Sequence, residues 1–104
     1  MRTVVELPPF LRRVGRLLTD DELAALILHL AQNPATGDLI QGTGGWRKVR
    51  WQAKGKGKSG GVRVITFFRA PHRVYLGTIY SKSERASLTD AQKATLKTLA
   101  SALS

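Results

Sequence analysis

The sequence predicts an α+β domain, a small antiparallel sheet packed against helices in the order β-α-α-β-β-β-α. Three observations lead there. Helical patterning with capping residues occupies the first and last thirds of the chain. Period-two patterning occupies the middle. The links between the strand-like runs are short turns, which favours an antiparallel meander over a parallel sheet.

The elements follow in order. Thr3-Val4-Val5-Glu6-Leu7 is a short β-branched run, stopped by Pro8-Pro9. Proline suits the first turn of a helix. Phe10, Leu11, Val14, Leu17 and Leu18 then recur at helical spacing, with Arg12, Arg13 and Arg16 largely off that stripe. Thr19-Asp20-Asp21-Glu22 is a capping box, with Thr19 at the N-cap and its acids at the positive end of the helix dipole. Leu23, Leu26, Ile27 and Leu30 form the apolar stripe of that second helix, which should end near Asn33-Pro34.

Ala35 to Gly45 is rich in turn residues. Trp46 to Trp51 then alternates, with Val49 and Trp51 on one face and Lys48 and Arg50 on the other. Trp51 is in phase with the core; Trp46 lies opposite and could stack on a base if exposed. Ala53 to Gly60 reads as a loop, Val62 to Phe68 and Val74 to Tyr80 as strands, and Ala70 to Arg73 as the turn between them. Thr89-Asp90-Ala91-Gln92 repeats the capping-box pattern before a helix carrying Leu96, Leu99 and Leu103.

At 104 residues the chain reads as a single domain spanning 1–104, with an ordinary 42% of hydrophobic residues. Cysteine is absent, which removes disulfides, thiol catalysis and zinc–thiolate sites. No run approaches the ~18 apolar residues of a membrane span, and MRTVVELPPF lacks the apolar core of a signal peptide. The expectation is a soluble, cytoplasmic protein with no membrane partner.

Charge is the strongest functional observation. Between Leu39 and Ser83 lie ten Lys/Arg residues and no Asp or Glu; the other seven basic residues are balanced by seven acids, so the whole excess of +10 sits centrally. Charge of one sign concentrated in this way points to a polyanion, and nucleic acid is the natural one. A merely solvated basic face is the alternative.

Within that stretch GKGKSG, Gly55 to Gly60, has the letters of a dinucleotide fingerprint, but a strand follows it where a helix is needed. A P-loop is also excluded, because its first glycine would fall on Gln52. Lys54, Lys56 and Lys58 interleaved with glycine read instead as a cationic loop able to approach phosphates closely. Lys48, Arg50, Arg63, Tyr80 and Lys82 can converge on one surface of an antiparallel sheet. Basic side chains beside an aromatic ring suit RNA. Arg63 alternates with Ile65 and Phe67, so an arginine on that mostly apolar face needs a reason. His29 sits among helical leucines and reads as structural, and His72 lies in a turn. No carboxylate cluster suggests a metal, no serine has an evident activating base, and no cofactor is expected.

The segment GDLIQGTGGWRKVRWQAKGKGKSGGVRVITFF and the later VYLGTIYSKSE resemble the HigB branch of the RelE-type toxins, the toxin halves of bacterial type II toxin–antitoxin pairs. The resemblance covers nearly the whole chain. Its specific parts are GTGG-x-RK-x-R, GKGKSGG-x-R and TIY-x-K-x-E. It implies a RelE-like small domain. It also implies an endoribonuclease that cleaves messenger RNA in the ribosomal A site, without metal, by attack of the ribose 2′-hydroxyl. The implied partners are the ribosome and its mRNA, and an acidic cognate antitoxin of the HigA or RelB kind, through which the complex would bind operator DNA.

Carried over by residue, Arg63 would stabilise the scissile phosphate, with Lys48 or Lys82 as the proton-transfer group. Glu84 belongs to the K-x-E segment, and Tyr80 could supply a phenol. Arg47, Arg50 and the lysines at 54, 56 and 58 would hold RNA, or the loop would reach ribosomal RNA. Two departures bear on the acid and base. Ser83 stands where RelE has a second active-site arginine, and RelE's later tyrosine has no counterpart in Ala86-Ser87-Leu88-Thr89. Two other functions compete: a ParE-like inhibitor of DNA gyrase, from the same superfamily, and a nucleic-acid binder with no catalysis.

Overall fold

The computed structural model describes residues 1–53, 61–69, 71–84 and 87–104. The elements are β1 (Thr3–Glu6), α1 (Pro8–Leu17), α2 (Asp20–Gln32), β2 (Asp38–Leu39), β3 (Trp46–Trp51), β4 (Val62–Arg69), β5 (Arg73–Ser81) and α3 (Asp90–Leu103). They form the expected α+β domain of helices around one sheet, in the order β1-β5-β4-β3-β2.

The predicted meander is present as β3–β4–β5, all antiparallel. The sheet differs from the expectation at both edges. β1 pairs with β5 in parallel, Thr3 opposite Arg73 and Glu6 opposite Leu76, so the sheet is mixed. Parallel pairing requires a crossover, and the α1–α2 hairpin together with the β2–β4 segment supplies a long one. At the other edge the turn-rich segment contributes the two-residue strand β2, paired with β3.

The capping boxes form as the sequence proposes. Thr19 Oγ1 accepts from the Glu22 amide at 3.2 Å, and Glu22 Oε1 accepts from the Thr19 amide at 2.8 Å. Thr89 and Gln92 repeat this at 3.1 and 2.9 Å. Each box satisfies two amides that a helix start otherwise leaves open.

The sheet carries a core on each face. The α1–α2 hairpin packs Phe10, Val14, Leu17, Leu26 and Leu30 on Val49, Val62, Val64, Val74, Leu76 and Ile79. On the opposite face, α3 brings Leu96 and Ala100 to Trp46, Ile65, Phe67, Tyr75 and Tyr80. Trp46, which on sequence could have been exposed for base stacking, is completely buried there. Its indole Nε1 donates to the Leu96 carbonyl at 2.8 Å, and its ring lies 5.3 Å from that of Phe67. Both faces of β3 are covered at that end, so alternation separates its two tryptophans without exposing either fully. Gly77 makes room for this ring: a Cβ there would come within 2.6 Å of Trp46 Cζ3.

Candidate functional site

Beyond the end of the α3 core, the same sheet face turns basic. The register sets Arg50 of β3 directly opposite Arg63 of β4, and Arg63 opposite Tyr80 of β5. Residues directly opposite share a face, so Arg50, Arg63 and Tyr80 form one row across three strands. One row further in, Lys48 lies opposite Ile65, with Asp38 of β2 on its other side. This convergence is the one that the alternation along each strand suggests; the register, which sequence does not reveal, puts the two arginines side by side.

Like charges directly opposite are unfavourable in a sheet. Two guanidiniums held this way become favourable when an anion sits between them, since each offers a rigid fork of donors. An open cleft of about 200 Å³ lies at this position, lined by Arg50, Trp51, Gln52, Gly61 and Arg63. Gly61, the last residue before β4, has φ +72, and a Cβ on it would collide with the Trp51 carbonyl oxygen. Glycine therefore lets β3 and β4 close up at the lip of the cleft.

The remaining sequence candidates are placed unequally. Lys82 is exposed immediately after β5, its amide 3.4 Å from the Gly61 carbonyl oxygen, at the same end of the sheet as the cleft. Tyr80 is only 2% exposed. Its ring belongs to the α3 core, so the phenol forms part of the floor beside Arg63 rather than an open reagent. Arg47 points to the opposite face from Lys48 and Arg50 and donates from Nη1 to the Gly37 carbonyl at 2.9 Å, fastening the β2 segment. It is not part of the row. Lys54, Lys56 and Lys58 lie outside the described residues.

Glu84 is drawn into a clamp. One carboxylate oxygen accepts from both the amide and the hydroxyl of Ser81, each at 3.1 Å. The other oxygen is ion-paired with Arg13 of α1, whose Nε donates to the Ile79 carbonyl at 2.7 Å. The Ser81 amide above all holds the Glu84 carboxyl below its ordinary value; burial opposes it, and the Arg13 guanidinium and the Ser81 hydroxyl add to the lowering. A carboxylate so fixed is ionised at neutral pH and suits holding the turn that bears Lys82, not giving up a proton. Arg13 was outside the sequence-derived set. The signal that could have found it is that it departs from the apolar stripe of α1, but its partner lies far along the chain.

His29 is structural, as the sequence suggests. Its ring meets Trp51 at 5.3 Å and Nε2 lies 3.2 Å from Thr36 Oγ1. Among the described residues no cluster of His, Asp and Glu is arranged to hold a metal, and no helix is long and apolar enough to cross a membrane.

Over residues 10–104 the chain matches the family model described as RelE toxin of RelE / RelB toxin-antitoxin system. That span contains both helical cores, the basic row and the clamp. The chain therefore belongs to the RelE toxin family and is the toxin member of a toxin–antitoxin system, with a cognate antitoxin as its partner.

Proposed function

We propose that this toxin is a ribosome-dependent mRNA endoribonuclease of the HigB kind, with its active face at the Arg50–Arg63 row. The observation that carries the reading is the pair of register-opposed arginines beside a cleft, at the end of the sheet face where the α3 core gives way to basic residues. A transferring phosphate is the ligand that turns their repulsion into binding.

The chemistry needs no metal. The ribose 2′-hydroxyl of the upstream nucleotide attacks the adjacent phosphorus, and the P–O5′ bond breaks. The products are a 2′,3′-cyclic phosphate and a free 5′-hydroxyl. One proton leaves the 2′-oxygen and one reaches the 5′-oxygen, so acid and base work at opposite ends of the same phosphate. Negative charge grows on the non-bridging oxygens of the phosphorane. Arg63 meets that charge with a fixed fork of donors, and a preorganised donor of this kind is the largest single contribution such a site can make. Arg50 holds the neighbouring backbone. Lys48 and Lys82, on either side of the row, are the proton-transfer candidates. Tyr80 braces Arg63 from below, and the clamp of Glu84 on Ser81 and Arg13 sets the position of Lys82. Lys54, Lys56 and Lys58 are the further candidates for holding RNA. An acidic antitoxin neutralises the face by complementary charge, acting in the cytoplasm and carrying the operator-DNA contact of the complex.

The test is translation of a defined reporter mRNA in a bacterial extract, with primer extension to map breaks. Wild type should give in-frame breaks that require ribosomes, and Arg63→Ala should lose them. Intact mRNA with wild-type protein would remove the nuclease reading; a gyrase assay would then test the ParE-like alternative. Salt-sensitive binding with no product under any condition would leave a nucleic-acid binder.

A further inference from the structure

We propose a second RNA-backbone site at the opposite end of β4, formed by Arg69, Arg73 and His72 at the β4–β5 turn. β4 carries a cross-strand arginine pair at each end. Arg63 faces Arg50 at its start, and Arg69 faces Arg73 at its finish. The second pair again sets two guanidiniums opposite each other, here both exposed, where an anion can be shared between them. An open cavity of about 560 Å³ lies there, lined by Thr3, Arg69, Pro71, His72 and Arg73, with no carboxylate among them.

The turn is held in place from the neighbouring edge strand. The Thr3 amide donates to the His72 carbonyl at 2.8 Å. Arg2 Nε donates to the Pro71 carbonyl at 3.3 Å, and the Arg2 guanidinium lies 5.7 Å from the centre of the Phe68 ring, on the hairpin side of β4. Arg69 lies six positions along the strand from Arg63, roughly 20 Å at the usual rise. At about 3.4 Å per stacked nucleotide, that gap corresponds to roughly six nucleotides. The protein thus has two phosphate clamps on one strand, one for the reacting phosphate and one for backbone remote from it. The choice of RNA as the polyanion rests on the nuclease reading.

The test measures binding, not cleavage. Fluorescently labelled 12-mer and 3-mer oligouridylates are titrated against wild type, Arg69→Ala/Arg73→Ala, Arg69→Lys/Arg73→Lys and, as a charge-matched control, Arg12→Ala/Arg16→Ala on the exposed side of α1. Far-UV circular dichroism confirms that each is folded. Only the 12-mer can span both clamps, so wild type should prefer it by at least about tenfold. The 69/73 alanine pair should lose most of that preference and flatten the salt dependence by about 1.4 logarithmic units, two contacts at ~0.7 each for single strands. The lysine pair should recover the slope but only part of the affinity.

The same proteins are titrated against 70S ribosomes, which separates messenger from ribosomal RNA. A loss confined to ribosomes assigns the site to ribosomal RNA, and a loss on the 12-mer assigns it to a single strand such as mRNA. If the 69/73 alanine pair matches the 12/16 control on both, the proposal fails. It fails equally if RNA binding is unchanged and only binding of the acidic antitoxin weakens. Wild type that shows the two-clamp pattern but leaves the reporter mRNA intact would remove the nuclease and leave the second site standing.

Discussion

The two faces of the central sheet are built on different terms. Under the α1–α2 hairpin, the face is predominantly apolar, from Val74 and Leu76 to Val49, Val62 and Ala53, with Thr66 and Ser81 buried among them. Under α3 it changes partway, from Trp46, Phe67 and Tyr75 to Lys48, Arg50 and Arg63. The same three strands supply both faces, so alternate residues of one strand do opposite jobs. Val64 is buried in the hairpin core, and its neighbour Arg63 lines the cleft. Stability can therefore be concentrated on one face, leaving the other to hold like charges in register. The first face resists the repulsion that the second builds in.

That division is testable by breaking either side. Phe10→Ala on the hairpin face should cost about 3–5 kcal/mol, lowering the thermal midpoint sharply while the residual folded fraction keeps its activity. Arg63→Ala on the other face should do the reverse. Cleavage should fall by roughly 10²–10³-fold, the usual loss on removing one charge-stabilising donor, with the midpoint little changed or slightly raised. Arg63→Lys should restore charge without the fork and recover only part of the rate. If Arg63→Ala unfolded the protein as Phe10→Ala does, the division between the faces would not hold.

Smaller effects sharpen the boundary. Gly77→Ala pushes a methyl group into the Trp46 ring and should cost about 1–3 kcal/mol, the usual range for overpacking. Trp46→Phe in the same chain should reverse part of that loss, as contacting residues couple. Thr19→Ala removes the α2 cap and should cost about 1 kcal/mol by chemical denaturation, without changing cleavage per folded molecule.

The smallest effect is pH-dependent. Glu84 has its carboxyl lowered from the ordinary value near 4.5 by the Ser81 amide and Arg13. A lowered folded-state value means that its contribution is complete above the unfolded value and fades as pH falls through the folded one. Glu84→Gln should therefore be less stable than wild type at neutral pH, and the two denaturation midpoints should converge below about pH 4.5. A difference that persisted unchanged into acid would show that charge plays no part in the clamp.

Sequence reached far in this protein where information is local. Both capping boxes, the β3–β5 meander and the alternation that isolates Arg63 are all set within a few residues. What escaped depends on partners far away in the chain. A four-residue strand such as β1 does not encode which strand it will join or in what sense. The register that brings Arg50 to Arg63 depends on how the chain returns between β3 and β4. Arg13 and Glu84 meet across most of the chain length. Trp46 and Tyr80 are buried because α3 folds over them, and strand alternation alone does not report on a helix that comes later.

The parallel pairing of β1 with β5 also sets the order of events during synthesis. The third residue waits for the seventy-third before its hydrogen-bonding edge is satisfied, and at about 5–20 residues per second that wait lasts seconds. Until then the hairpin helices have only a partial sheet to cover, and the arginine row lacks its third strand. Arg50 and Arg63 are thus made before the strand that completes their row, and the three-stranded face can assemble only after Tyr80 has been added.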